Sequence, residues 1–305
     1  MKKVLMPLIL ICVLFFSCTK EEPNILNITS FPDRNNDFTV WQIEQFRDIS
    51  QMGYLIRTDD NKIIAIDGGS NDTAELLNDF IQQLGGTVNY WIITHPHDDH
   101  VGVLNGFLSK RNNIVIEKIV HSKIDLELIA DHEPKSYSYI KNFYQKLEHS
   151  GISLHEPKTN DVIEIGDGVN LRVLSTANED IKINLVNNSS LVFQLNSKSK
   201  RVLFLGDLGV EAGNKILQNG TLSNLRSTHV QMSHHGQGGV SKEFYSAVNA
   251  KIALWPTPIW LWENNLDAKG YNTGTWKTII VKSWMDEIGI SQHIVAGIEG
   301  TSQID

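Results

Sequence analysis

Short apolar runs of strand type alternate along this chain with stretches whose apolar residues recur at helical spacing. Gly53 to Arg57 and Lys62 to Asp67 read as two strands joined in a hairpin at Asp59-Asp60-Asn61. Gly68-Gly69 ends the second of them. From Thr73 to Leu84 the apolar residues Ala74, Leu77, Phe80, Ile81 and Leu84 fall on one helix face, and Gly85-Gly86 stops that helix. Tyr90 to Ile93 is a further strand, Val101 to Leu108 a short helix, Ile119 to His121 a strand and Ser136 to His149 a helix. The second half repeats the theme. Val162 to Ile165, Leu171 to Leu174, Leu191 to Leu195 and Val202 to Leu205 read as strands. A helix follows at Val210 to Leu217, then a strand at His229 to Met232. A helix at Lys242 to Val248, a strand at Lys251 to Trp255 and a helix at Trp276 to Ile288 complete the pattern. Interleaved strands and helices in two halves predict a layered α/β domain over residues 39–305.

The first seventeen residues depart from this pattern. Lys2 and Lys3 precede an apolar stretch from Val4 to Phe16, too short to span a bilayer comfortably and suited to a secretory leader. Ser17-Cys18 then resembles a bacterial lipoprotein cleavage site, with Cys18 the lipid carrier. An ordinary signal peptide and an uncleaved anchor are the alternatives. Residues 18–38 read as a polar tether with turn signals. Lys20-Glu21-Glu22 resembles the acidic surface-export signal of some bacterial lipoproteins, or is a plain solvated linker. The expected location is the bacterial cell envelope, on the periplasmic face or the outer surface.

Composition narrows the chemistry. The chain has two cysteines, Cys12 and Cys18, both within or at the end of the leader. The domain itself therefore has no disulfide and no thiolate ligand. The formal charge is −8, and loss of Lys2 and Lys3 makes it more negative. Such a surface repels polyanions, so no stable nucleic-acid complex is expected. Lys198, Lys200 and Arg201 form a small basic cluster in a hairpin turn, expected to be solvated. No phosphate-binding glycine loop marks a nucleotide cofactor.

The densest chemistry is Thr94-His95-Pro96-His97-Asp98-Asp99-His100, directly after an apolar strand. Neutral imidazole and carboxylate are ligands that zinc and similar ions prefer. The spacing His-x-His-x-Asp-His resembles the signature of the metallo-β-lactamase superfamily of metal-dependent hydrolases. Leu203-Phe204-Leu205-Gly206-Asp207 resembles that family's strand ending in a bridging aspartate. Met232-Ser233-His234-His235-Gly236 resembles its late histidine motif, and Asp67 its early aspartate, a support for the metal loop rather than a ligand.

The resemblance implies a four-layer αββα sandwich with metal ions, two Zn2+ or alternatively Mn2+, at one edge of the two sheets. It implies His95 and His97 at a first site and Asp99 and His100 at a second, with Asp207 shared. One of His234 and His235, with His235 favoured, completes the second site. Asp99 and His235 are the residues expected to act in catalysis as well. The family usually supplies a third first-site histidine. His121, His132, His149 and His155 lie in the right interval, but none has a fitting context. Asn187-Asn188-Ser189-Ser190 instead resembles the hydrolase domain of bacterial DNA-uptake channel proteins, where an asparagine takes that place, and Asn187 is the candidate. Choline-phosphate esterases of bacterial surfaces are a second resemblance.

Five of the seven tryptophans lie between residues 255 and 284. Trp260 and Trp262 are candidate walls for a substrate, unless they cover the core edge. The resulting expectation is a lipid-anchored extracytoplasmic hydrolase of a small or exposed phosphodiester, using a metal-bound hydroxide. A lactamase or lactonase is the enzymatic alternative. A non-catalytic surface binding lipoprotein is the alternative from another class.

Overall fold

The computed structural model describes residues 37–46, 49–110, 113–219 and 222–304. The leader, Cys18 and nearly all of the expected tether lie outside these residues. The strands in chain order are β1 (Phe38–Gln42), β2 (Gly53–Thr58), β3 (Ile63–Asp67), β4 (Thr87–Val88), β5 (Tyr90–Ile92), β6 (Val115–Ile116), β7 (Lys118–Val120) and β8 (Ser153–His155). There follow β9 (Val162–Gly166), β10 (Val169–Ser175), β11 (Val192–Asn196), β12 (Arg201–Phe204), β13 (His229–Gln231), β14 (Ile252–Trp255), β15 (Gln292–Val295) and β16 (Ser302–Ile304).

They build two seven-stranded sheets, β16-β1-β2-β3-β5-β7-β8 and β15-β14-β13-β12-β11-β10-β9. Each opens with antiparallel hairpins and continues in parallel: β3-β5-β7-β8 in one, β12-β13-β14-β15 in the other. Strand alternation sorts the core into three apolar layers. Ile64 and Ile66 face the second sheet, where they meet Phe193, Leu195, Val202 and Phe204. Ile63 and Ala65 face outward onto helix residues such as Leu77, Phe80 and Leu104. In the second sheet Leu203 and Leu205 face outward onto Phe244, Val248, Val281 and Met285. Helices therefore cover both outer faces, which is the expected αββα sandwich.

Three local differences from the sequence reading have physical causes. The helix expected at Val101 begins at Asp98 and runs to Ser109, so Asp99 and His100 lie in its first turn. His97 stays extended as its cap, and carboxylates are favoured at a helix start, where backbone N–H groups lack partners. Phe38, assigned to the tether, is buried in β1 and paired with β2. Lys200 is not solvated: it is only 6% exposed, with its ammonium 5.0 Å from the centre of the Phe38 ring. Among the described residues no helix is long and apolar enough to cross a membrane.

Candidate metal centre

The parallel strands of both sheets end on the same edge, and the polar cluster grows from those ends. Asp67 closes β3. Thr94 to His100 follow β5. Asp207 follows β12, and His234 and His235 follow β13.

Asp67 is fully buried and acts as a brace. Its Oδ1 accepts from Thr94 N at 2.7 Å, and its Oδ2 accepts from Thr94 Oγ1 at 2.7 Å. The same Oδ2 lies 2.7 Å from His100 Nδ1. A carboxylate only accepts, so His100 carries its proton on Nδ1 and offers the lone pair of Nε2. Similar logic fixes two other imidazoles, His95 and His235. Thr94 Oγ1 spends its proton on Asp67 and accepts from His95 Nδ1 at 3.1 Å, freeing His95 Nε2. His235 Nδ1 donates to Pro256 O at 3.0 Å, freeing its Nε2. His97 Nε2 lies 3.5 Å from Glu133 Oε2, leaving Nδ1 to face His95 Nε2 at 3.1 Å.

The freed nitrogens converge on two carboxylates. His100 Nε2 is 3.2 Å from Asp207 Oδ1, and His235 Nε2 is 3.1 Å from Asp99 Oδ2 and 3.5 Å from Asp207 Oδ2. His95 Nε2 and His234 Nε2 stand 3.9 Å and 3.8 Å from Asp207 Oδ2. Ligand atoms of Asp99, His100, Asp207 and His235 all fall within 4.8 Å of one another. His100 Nε2 and Asp207 Oδ1 are buried without a well-formed hydrogen bond, as is Asn187 Oδ1. Lone pairs of imidazole and carboxylate aimed at one small volume repel unless a cation or protons fill it. The donor set and its orphaned atoms thus fit a divalent metal.

The electrostatics of the cluster follow from the crowding of acids and imidazoles within it. Burial disfavours charge on His100, yet Asp207, Asp99 and Asp67 outweigh it and hold the ring well above its ordinary pKa. Burial likewise opposes charge on His235, but Asp207 and Asp99 push it up to about 9. Burial works against ionised Asp207 and Asp99, but the neighbouring histidines hold both below the usual carboxylate range. His95 is pushed well down, by burial and then by His100.

Backbone geometry supports the second half of the site. His234 and His235 both take left-handed conformations, each at φ 52°, which costs a non-glycine residue about 1–2 kcal/mol. Such strain persists where surrounding structure over-determines it. Here Thr257 Oγ1 donates to His235 O at 2.7 Å, and His234 N donates to Gly206 O at 3.1 Å. Gly206 has φ 54°, and a Cβ there would meet Thr94 Cβ at 2.8 Å and Ser190 Oγ at 2.9 Å.

The structure brings together His95, His97, Asp99, His100, Asp207 and His235. His234 stands at the rim, its side chain 33% exposed. Asn187 lies in the short helix Leu185–Asn188. Its neighbour Asn188 is spent on Gly209 N, Ala212 N and Ile183 O. Trp262 packs edge-on against Trp255 at 5.0 Å, under the Lys282 ammonium at 3.8 Å, which is a core-edge position. Trp260 pairs with Trp276 at 5.0 Å. Sequence reasoning missed Glu133, whose only signal was its place before Pro134. It also missed Gln231, a buried strut that accepts from Leu205 N and donates to Gly206 O.

The sequence model of the metallo-beta-lactamase superfamily matches residues 48–229. No curated protein matches the chain. Among solved structures, the metallo-beta-lactamase fold protein YhfI from Bacillus subtilis is similar with a TM-score of 0.52 at 10% identity, over 88% of this chain and 100% of its own. A metallo hydrolase from the archaeon Ignicoccus hospitalis is similar with a TM-score of 0.50 at 14% identity, over 88% of this chain and 99% of its own.

Proposed function

This chain belongs to the metallo-β-lactamase superfamily, and from that premise we propose that it is a lipid-anchored, extracytoplasmic hydrolase of a small or exposed phosphodiester. The observation that carries the hydrolase reading is the set of imidazoles His95, His100 and His235, each held from behind at Nδ1 with Nε2 turned toward Asp207, and His97 beside them with Nδ1 3.1 Å from His95 Nε2. His95, His97, Asp207 and Asn187 would hold one ion; Asp99, His100, His235 and Asp207 would hold the second. Ions held there, Zn2+ first and Mn2+ second, would lower the pKa of a water, polarise the scissile bond and leave the pocket positive enough to suit an anionic ester.

The chain's own groups do the remaining work. Asp67 and Thr94 keep His95 and His100 in register. Asp99, with its carboxylate 30% exposed, is placed to take a proton from the attacking water. His234 stands partly exposed beside Asp207. Burial, its largest influence, lowers its pKa, so it is neutral at pH 7 and can donate a hydrogen bond to a phosphoryl oxygen or leaving group. Trp260 is the better wall candidate, since Trp262 is committed to packing.

Three features support a phosphodiester over a lactam or lactone. No histidine stands in a fitting context for the third first-site imidazole, the late motif is His-His-Gly, and the motif set resembles the DNA-uptake and choline-phosphate esterase branches. The acidic surface favours a small substrate over long duplex DNA and opposes a stable nucleic-acid complex. The leader and Cys18 support membrane attachment through a lipid.

The test is metal content per chain, followed by turnover of an activated phosphodiester, bis(p-nitrophenyl) phosphate, beside a chromogenic lactam. About two ions per chain with phosphodiester turnover is the expected result. Turnover of the lactam alone would transfer the reading to the lactamase alternative. A chain that takes up no metal after reconstitution would overturn the enzyme reading and favour a binding lipoprotein.

A further inference from the structure

Glu133 sits where two helices break, between Leu126–His132 and Pro134–His149. The following proline keeps it out of helical geometry, at φ −136° and ψ 58°. Its half-buried side chain reaches in two directions. Oε1 accepts from Val186 N at 2.8 Å, and Oε2 lies 3.5 Å from His97 Nε2. Val186 precedes Asn187 in the short helix Leu185–Asn188, and the Asn187 Oδ1 atom is buried without a partner. One carboxylate therefore joins His97 to the segment that carries the amide candidate.

We propose that Glu133 is a positioning residue for the first metal position, setting the tautomer of His97 and holding the Asn187 segment against it. This rests on the reading of His95 and His97 as metal ligands. The chemistry is one of donors and acceptors. A neutral imidazole carries one N–H, and an ionised carboxylate accepts only. Glu133 selects the tautomer protonated at Nε2, so the Nδ1 lone pair faces His95 Nε2, 3.1 Å away. A carboxylate behind a ligating histidine also raises its basicity. In this chain the device compensates for an amide standing where an imidazole would bind more strongly. Glu133→Gln reverses the polarity. Its carbonyl can keep Val186 N, while its NH2 group donates toward His97 and favours the wrong tautomer.

The experiment pairs two readouts on the full chain. The first is the 15N shift of the His97 ring nitrogens in metal-stripped protein. The second is stepwise zinc affinity by competition with a chromogenic chelator. The wild type is expected to show the Nε2–H tautomer and two zinc ions. Glu133→Gln should lose that tautomer preference, weaken one zinc by about 10–100-fold and leave the other unchanged. Unchanged tautomer and affinity in Glu133→Gln would overturn the proposal. If the variant does not fold, the wild-type spectrum decides alone: an Nδ1–H tautomer for His97 overturns it. Absence of zinc binding in the wild type would sink the ligand reading, and the 15N comparison would still judge the Glu133–His97 contact separately.

Discussion

The two halves of the site are built differently. The first half places four ligand candidates in six residues, His95 to His100, and braces them with side chains: Asp67, Thr94 and Glu133. The second half takes Asp207 and His235 from separate strand ends and shapes them by backbone turns, which the Thr257, Gln231 and Ser190 side chains steady. Pro256 O receives His235 Nδ1, Gly206 turns left-handed to release Asp207, and two consecutive histidines adopt positive φ. The first half is thus tuned by donor and acceptor identity, the second by shape. Substitutions that change polarity without volume should damage the first, and substitutions that add volume should damage the second.

The largest effect is expected where the halves meet. Asp207→Ala removes the carboxylate faced by His95, His100, His234 and His235. Losing several kcal/mol of charge stabilisation should cut phosphodiester turnover by about 10³-fold, with metal content falling alongside. A variant that retains both ions and its rate would show that the halves do not share a ligand.

In the first half, Asp67→Asn keeps the volume but replaces one acceptor by a donor opposite Thr94 Oγ1 and His100 Nδ1. Metal affinity should drop by about 10–100-fold, read by chelator competition. Wild-type affinity in this variant would remove Asp67 from the support of the site.

In the second half, Gly206→Ala adds a methyl group where Thr94 and Ser190 stand under 3 Å away, at φ 54°. It should destabilise the fold by about 1–3 kcal/mol, seen as a lower denaturant midpoint. An unshifted midpoint would mean that this turn adapts freely.

The smallest effect is a pH dependence common to both halves. In metal-stripped protein His235 is raised to about 9 and His100 is raised as well. Their protonated forms stabilise the fold below the ordinary histidine value of about 6.5. That contribution is lost as pH climbs through about 9. Asp99 and Asp207, held low, contribute above about pH 4 and lose only in stronger acid. The melting temperature of stripped protein should therefore fall between about pH 6.5 and 9. Metal-loaded protein should not show this fall, because ligand histidines are already neutral. Loading at pH 7 should release protons to a weak buffer. Identical profiles for the two forms would remove these ion pairs from the account.

Much of the first half was legible in the chain itself. Contiguous ligands write their own spacing, and the strand before them is marked by Tyr90 to Ile93. Interleaved strands and helices pointed to a layered α/β domain, and the four αββα layers came from the family resemblance; the structure then parts Ile64 and Ile66 from Ile63 and Ala65 onto the two faces of one sheet. Asp207 and His235 were legible only through motif resemblance, since Gly-Asp and His-His-Gly are common as plain turns. The choice between His234 and His235 leaned to His235 in the sequence without being decided there. It depends on a left-handed turn and on a carbonyl twenty-one positions away in sequence, at Pro256.

The sequence by itself determined the layered fold and the ligand-rich loop at a strand end, because local periodicity and contiguous spacing encode both. Only the tertiary structure decided which nitrogen each imidazole presents, since tautomers are set by partners far away in the chain. It alone identified Glu133 and Gln231 as supports, and it alone committed Trp262 to the core edge, because packing and hydrogen-bond direction exist only once the two sheets are brought together.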